Sequence, residues 1–294
     1  MRHSQLKAFH HVALLGGFSR AAESLYLTQP AISEQVRKLE QDHDVLLFHR
    51  ERKRVRLTRS GERLFRLTRQ YFEVEQQIGE LMSEAGAAID GELRIVADSA
   101  HHVTAILGRF RKRYPEVTVS LHGGNTEDIL EQLRAYEAEI GVVGDVSPGK
   151  EMVSLGLGGS DIVAFAAHGI LQPPRQALGL KELIDLPLIF REAGSKTRQK
   201  LEAAAAVQGI VLHPAIVAEG REAVRELVAS GAGVGFVSRA EYGNDDRLEL
   251  FDLQADGLHM HETIVHLAQR RDVKVIRAFM DIAWQELAAH PRSV

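Results

Sequence analysis

Residues Phe18 to Glu40 read FSRAAESLYLTQPAISEQVRKLE, and this stretch decides how the N-terminal part of the chain folds. It splits into two short helices around a tight corner. Ser19 is placed to cap a first helix carrying Ala21, Ala22 and Leu25, which stops near Leu27. Thr28 is placed to cap a second helix. Pro30 falls in its first turn, where a missing N–H costs nothing. Ile32, Val36 and Leu39 recur at helical spacing and define a buried face. Gln29, Ser33 and Arg37, at i, i+4 and i+8, define a polar one. A helix with one apolar face and one face of Gln, Ser and Arg is what a helix-turn-helix lays in the DNA major groove. Gln pairs with adenine and Arg with guanine in bidentate fashion, while Ser is permissive. Taken alone, the pattern also describes an amphipathic helix with a solvated face.

The flanking sequence extends the pattern. Upstream, Ser4 to Leu15 reads as a helix with Leu6, Phe9, Val12 and Ala13 on one face, ended by Gly16-Gly17. Downstream, Leu47-Phe48 and Val55-Arg56-Leu57 flank a basic run and predict a β-hairpin, a wing beside the helical pair. Arg50, Arg52, Lys53 and Arg54 on this wing would lie along phosphates and add salt-dependent affinity without sequence information. The plainer alternative for such a run is a solvated turn. Residues 1–60 carry 11 Lys or Arg against 6 acids, a net +5, so the remaining 234 residues carry −9 of the overall −4. A basic head on an acidic body suits a nucleic-acid module joined to something that does not bind nucleic acid.

Thr58 or Ser60 can cap the next helix, which runs unbroken to about Gly86. Leu64, Leu67, Tyr71, Val74, Ile78, Leu81 and Ala85 alternate spacings of 3 and 4, a heptad seam that needs a partner helix. This predicts a dimerisation helix, followed by a hinge at Gly86–Gly91. Beyond it the period changes. Strands at Glu92–Asp98, Val117–Leu121 and Ala138–Gly144 alternate with helices, which gives a parallel α/β sheet. A strand-rich crossing, Val153 to Ala167, leads to a second α/β set: Leu188–Phe190, helix Ser195–Gln208, Ile216–Ala218, helix Arg221–Ser230 and Gly233–Ser238. Strands near Leu248–Leu253 and Thr263–Ala268 precede a closing helix, Val273 to Ala289, expected to return to the first set.

With 294 residues, 45% hydrophobic and 26% charged, the chain has room for two or three domains. It has no apolar run of about 18 residues and no secretory h-region. Its lack of Cys removes disulfides and thiolate chemistry. A cytoplasmic protein is expected.

In the order and spacing of FSRAAESLYLTQPAISEQVRKLE, LLFHRERKRVRLTRSGE, GELRI and REAVRELVASGAGVGFVSRAE, the chain resembles the LysR-type bacterial transcriptional regulators over essentially its whole length. The resemblance implies an α winged helix-turn-helix domain at 1–58, a coiled-coil linker helix and hinge at 59–91, and an α/β effector-binding domain at 92–294. The last would consist of two lobes like a periplasmic binding protein, one of 92–163 plus 267–294 and one of 164–266. It also implies homodimers or homotetramers on interrupted dyad sites in double-stranded DNA, and transcription regulated through RNA polymerase, usually as activation, when a small metabolite binds; activator or repressor is left open for this chain. No cofactor is implied. The family's base-reading positions fall on Gln29, Pro30 and Ser33, with the next at Glu34, where relatives often carry a basic or amide residue. Glu34 either accepts from cytosine N4 or points away and lowers affinity. Within the family, the sequence is similar to the branch associated with aminoethylphosphonate catabolism.

In two-lobed α/β domains the ligand sits beyond the C-terminal ends of the strands. Those ends supply Ser99, Ala100, His101 and His102 after Asp98, then Asn125 and Thr126, then Gly144 and Asp145. The second lobe supplies Arg191, Ser195, Lys196, Thr197 and Glu219. Free N–H groups at Ser99 and at Gly194-Ser195 would cradle an anion, with Arg191, Lys196 or Arg198 nearby. Asp98, Asp145 and Glu219 could receive an amine. A small zwitterion with an anionic head is therefore expected. Thr126 and Ser195 are also good N-caps whatever binds. His259 and His261 share one strand face, but no carboxylate completes an obvious metal set, and polar ligand contact rather than metal is expected at His101-His102. A solute-binding protein leaves the first 90 residues unexplained. A hydrolase built on Ser99 with His101 or His102 lacks a G-x-S-x-G elbow.

Overall fold

The computed structural model describes residues 1–50, 55–82, 89–145, 149–171 and 176–289, apart from the side chains of Arg50, Glu80 and Leu81. Arg52, Lys53, Arg54 and Ala85, the side chains of Arg50 and Leu81, and residues 86–88 of the expected hinge lie outside the described residues. The chain divides into two compact units, Met1–Gly86 and Ala87–Val294.

The first unit contains α1 (His3–Leu15), α2 (Phe18–Ser24), α3 (Gln29–Asp42), the hairpin β1 (Phe48–Arg50) and β2 (Val55–Leu57), and α4 (Arg59–Met82). Gly16 ends α1 in the left-handed conformation (φ 64°), which glycine adopts at no steric cost. α2 starts at Phe18, one residue before the expected Ser19, which lies inside the first turn with Gly17 at the cap position. Thr28 caps α3 as expected, accepting from the Ala31 N–H at 3.4 Å. Phe9, Val12, Ala21, Ile32, Val36, Leu39 and Phe48 pack into one core. The Glu40 carboxylate accepts from the Leu47 and Phe48 N–H groups at 2.7 and 3.3 Å, which ties the hairpin to the end of α3. Thr58 caps α4, accepting from the Gly61 N–H at 3.0 Å. A Cβ at Gly61 would stand 2.1 Å from the Leu47 carbonyl oxygen, so only glycine fits there.

Leu64, the first residue of the expected seam, is half-buried and packs with Phe65 against this core. Leu67, Tyr71, Val74 and Ile78 are between 46% and 61% exposed, a row of large apolar side chains uncovered within one chain. The 3-4 spacing therefore marks a face that a single chain leaves in water, which is unfavourable by the area it exposes.

The second unit is two lobes joined by two strands. In the first lobe, β3 (Gly91–Ala97) runs parallel to β4 (Val117–Gly123) and β5 (Ile140–Gly144), with α5 (Thr104–Arg113) and α6 (Thr126–Arg134) as crossovers. β6 (Met152–Ala167) is 16 residues long and leaves the first lobe for the second. There it pairs with β10 (Gly235–Ser238) and β11 (Leu248–Gln254), and β11 pairs in turn with β7 (Ala177–Gly179). β8 (Leu188–Arg191) and β9 (Pro214–Ala218) are parallel, with α7 (Lys196–Val207) between them and α8 (Arg221–Ala229) after. Backbone bonds at Val234 link β8 to the start of β10. A short α9 (Arg239–Tyr242) follows β10.

The return to the first lobe is made by β12 (His259–Leu267), and the expected boundary at 267 is too late. Thr263, Ile264 and Val265 already pair with β5, while Met260 packs in the second lobe's core. The crossing point is a register shift between Glu262 and Thr263, opposite Gly158 of β6. Helix α10 (Lys274–Ala289) then covers the first lobe, burying Ile276, Phe279 and Ala283 against Phe110 and Ile95. Among the described residues no helix is long and apolar enough to cross a membrane.

Candidate functional site

Two surfaces carry chemistry. On the first unit, Gln29, Pro30 and Arg37 stand exposed on α3 and Ser33 is half-buried, while Ile32, Val36 and Leu39 hold the helix down. Glu34 does not stand apart from this face. Its carboxylate accepts from Arg37 Nε at 3.0 Å and Nη2 at 3.2 Å, and lies 3.5 Å from Lys38 Nζ. One carboxylate thus engages both cations of the helix. The corner before α3 turns on Tyr26, in the left-handed region at φ 53° and 96% exposed.

On the second unit, a cleft of about 620 Å³ opens between the lobes. Gly123, Gly124, Asn125 and Asp128 line it from the first lobe; Arg191, Glu192 and the Glu219–Ala223 turn line it from the second. The lobes touch beside it, since a Cβ on Gly194 would meet the Asn125 side chain at 2.6 Å. The capping expectation at Thr126 is corrected here. Asn125 caps α6, accepting from the Glu127 and Asp128 N–H groups at 3.0 and 3.1 Å. Ser195 precedes α7 but makes no capping bond. The hydroxyls of Thr126, Ser195 and Thr197, which flank the cleft but are not among the residues lining it, are buried without a hydrogen-bond partner. Three unpartnered buried hydroxyls are costly unless something else satisfies them.

The cations expected to meet an anion are already engaged. Arg191 Nη1 donates to Asp98 at 2.7 Å, and its Nη2 to Glu192 at 2.5 Å. Burial opposes the Arg191 charge, but Asp98 and Glu192 outweigh it and hold its pKa above the ordinary arginine value. Lys196 donates to Gln199 at 2.8 Å, and Arg198 to Glu202 at 2.9 Å. Asp145, at φ 44°, lies 2.9 Å from Lys200 and 3.3 Å from His261. Asp98 takes a second guanidinium, Arg221, at 3.1 Å. Asp98 is on the first lobe and both arginines are on the second, so this is a clamp across the cleft. Of the charged residues lining the cleft, Asp98, Asp128, Glu192, Glu219, Glu222 and Glu226 outnumber Arg191 and Arg221. Ala100 and His101 stand exposed, while Ser99 and His102 are buried.

His102 does not face the cleft lining. Its Nε2 is 2.8 Å from Glu241 Oε1 of α9 and 3.9 Å from Glu262 Oε1 of β12. Glu241 Oε2 lies 2.9 Å from Arg221, too poorly aligned for a hydrogen bond. Both Glu262 oxygens and His102 Nδ1 are buried without a hydrogen-bond partner. Burial, reinforced by the Glu241 carboxylate, pushes the Glu262 carboxyl up to about 8. Glu192, Arg221, Glu241 and Glu262 were not among the residues singled out from the sequence. A signal for Glu262 existed: Leu258, Met260, Glu262 and Ile264 all occupy the inward positions of the period-2 pattern.

Residues 3–62 match the family described as "Bacterial regulatory helix-turn-helix protein, lysR family", and residues 86–288 match "LysR substrate binding domain". The HTH-type transcriptional activator CmpR of Synechocystis sp. is 26% identical, over 99% of this chain and 96% of its own. A RuBisCO operon transcriptional regulator of Acidithiobacillus ferrooxidans is 29% identical, over 94% and 91%. Among solved structures, a full-length OxyR variant from Pseudomonas aeruginosa superposes with a TM-score of 0.77 at 20% identity, covering 96% of this chain and 94% of its own. Full-length CbnR in complex with its target DNA superposes with a TM-score of 0.67 at 21% identity, covering 97% and 99%. The fold is shared with both. The relatives are regulators, which removes the solute-binding and hydrolase readings. The chain belongs to the LysR family of DNA-binding transcriptional regulators, with a helix-turn-helix domain and an effector-binding domain, and it is not an enzyme.

Proposed function

We propose that this regulator responds to a small zwitterion held between the lobes of its second unit. The observation that carries the reading is the set of unpartnered hydroxyls at Thr126, Ser195 and Thr197. Together with Ser99 and the N–H groups at the start of α7, they suit an anionic head that can accept several hydrogen bonds. The acid-rich lining suits a cationic tail, with Glu219 exposed and unpaired acids such as Glu222 nearby. An aminophosphonate meets both requirements and is the first probe; amino acids are the second. On the DNA side, Gln29, Pro30, Ser33 and Arg37 read bases, Glu34 sets which of them are accepted, and Arg50, Arg52, Lys53 and Arg54 hold phosphates. Two chains pair through α4 and address an interrupted dyad site in the cytoplasm, where effector binding changes contact with RNA polymerase.

The test is a thermal-shift and calorimetric screen of the full-length protein against 2-aminoethylphosphonate, α-amino acids, and monoanions lacking an amine. A zwitterion should stabilise the second unit by mass action. Ser195→Ala and Thr197→Val should each weaken it about 10-fold, one charge-assisted hydrogen bond's worth. Preference for amine-free anions, or indifference to both substitutions, would remove this assignment.

A further inference from the structure

We propose that His102, Glu241 and Glu262 form a binding site for a divalent first-row transition-metal ion at the crossing between the two lobes. One imidazole nitrogen and two carboxylates have donor atoms that all lie within 4.8 Å of one another. His102 Nε2 is 2.8 Å from one carboxylate oxygen and 3.9 Å from the other. Zinc-type bonds of about 2.0–2.1 Å place neighbouring ligand atoms about 3.0–3.4 Å apart, between those two distances. A small rotation of Glu262 therefore completes the set.

The second observation is independent of the cluster's composition. Glu262 is 2% exposed, and neither of its oxygens has a hydrogen-bond partner. A buried carboxylate left without donors is expensive in any protonation state. The strand builds room for it. Glu262 pairs with Gly144 on one side of β12 and Gly158 on the other; a Cβ on Gly144 would clash with the Met260 methyl at 2.6 Å and only just touch Glu262 Oε1 at 3.6 Å, so the glycine keeps Met260 and Glu262 side by side. Glu241 is also oriented for the purpose: Oε2 faces Arg221, while Oε1 faces His102. A cation here would replace the missing donors of Glu262. Three protein ligands would leave a position for water. An N,O,O donor set suits Zn²⁺ or Mn²⁺ better than a soft ion.

Each ligand comes from a different part of the second unit. His102 follows β3 in the first lobe, Glu241 belongs to α9 of the second, and Glu262 sits on the strand that crosses between them. A bound ion would therefore fix the lobes together independently of the Asp98 clamp, and would make the response to effector depend on metal supply.

Tag-free full-length protein is stripped with a chelator and dialysed against Zn²⁺ or Mn²⁺; metal content is measured by mass spectrometry and affinity by calorimetry. At least one of the two ions should bind at one per chain and raise the unfolding temperature. Losing an outer-shell partner weakens metal sites by about 10–100-fold, so Glu262→Gln, which removes a direct ligand, should weaken binding at least about 100-fold. His102→Gln should do the same and carries the comparison if Glu262→Gln fails to fold. Metal-free Glu262→Gln should unfold at or above the wild-type temperature, because its carboxamide replaces an unpartnered acid. The exposed pair His259 and His261 is the control, and His259→Ala/His261→Ala should bind as wild type. Substoichiometric binding of both ions, wild-type affinity in Glu262→Gln, or loss of binding in the surface double variant would each overturn the site.

Discussion

Asp98→Asn tests the clamp that spans the effector cleft. The substitution keeps the side chain's shape and removes its charge. Two guanidiniums lose a carboxylate: Arg191 at 2.7 Å and Arg221 at 3.1 Å. A hydrogen bond to a charged group contributes about 1.5–3 kcal/mol net, so the two together bound the loss at about 3–6 kcal/mol. The true figure is smaller, because each arginine keeps a second carboxylate, Glu192 for Arg191 and Glu241 for Arg221. The bond from Arg221 Nη1 to the Asp98 carbonyl at 2.8 Å also survives. Halving the bound gives about 1.5–3 kcal/mol, and for a unit of this size about 2–4 °C per kcal/mol, hence roughly 3–12 °C. Scanning calorimetry of the full-length protein measures it, and the sole tryptophan, Trp284 on α10, reports which unit melts. A double-mutant cycle with Arg221→Gln should give a coupling of at least about 1 kcal/mol. Zero coupling, or a shift below about 2 °C, would show that the lobes are held by apolar packing and that the clamp is incidental.

Three further outcomes follow from the first unit. Glu34→Gln releases Arg37 and Lys38 and removes a negative charge from the reading helix; duplex affinity should rise about 3–10-fold at 0.1 M salt in a fluorescence anisotropy titration, consistent with about 1 kcal/mol for unit charges near 4 Å in water. A loss confined to one cytosine position of the site would instead mean that Glu34 reads that base. Ile78→Glu places a charge in the exposed apolar row of α4; burying such a side chain contributes about 1.5–3 kcal/mol per copy, so self-association should weaken at least about 100-fold by analytical ultracentrifugation. Unchanged association would move the interface elsewhere. His10 is buried against Thr68, and burial, then His11 and Arg69, lowers its pKa to about 4. The unfolded chain gains a proton near pH 6.5 while the folded one stays neutral until about 4. Stability is therefore full above 6.5, falls as the pH drops between the two values, and declines by at most about 3 kcal/mol. Amide exchange of α1, corrected for intrinsic rate, should show protection falling between pH 7 and pH 5, and His10→Gln should reduce that slope to the part left by His11, whose pKa burial and Lys7 also lower.

What the sequence disclosed was local or periodic. The i, i+4 pattern of Ile32, Val36 and Leu39 and the Thr28 cap depend on residues a few positions apart, and both hold; the heptad row from Leu67 to Ile78 is equally local and stands as an exposed apolar row. Strand ends were also legible, because parallel topology sends them all to one edge. The errors have equally physical causes. Asn125 and Thr126 are adjacent and cap almost equally well, so composition could not decide which side chain would be spent on α6 and which left free. β12 is one uninterrupted strand, and nothing in its alternation marks the point where it changes lobes. Partner choice was the least accessible. Arg191 reads as an anion receptor until Asp98, distant in the chain, takes its guanidinium. The inward register of Glu262 was visible in HMHETIVHL, but a lone inward carboxylate has meaning only when its neighbours are known. Those neighbours, His102 and Glu241, stand 139 positions apart and come from different lobes. Charge in this protein's body is thus organised by tertiary contact, and local pattern reports only where the charges are. The functional consequence is that the cleft's selectivity rests less on how many arginines line it than on which of them an effector can release, and Asp98→Asn, which takes one of two carboxylates from each of Arg191 and Arg221, should loosen discrimination between zwitterions and simple anions in the same calorimetric screen. Undiminished preference for zwitterions in that variant would locate selectivity in the acids that meet the amine, Glu219 and Glu222, independently of the clamp.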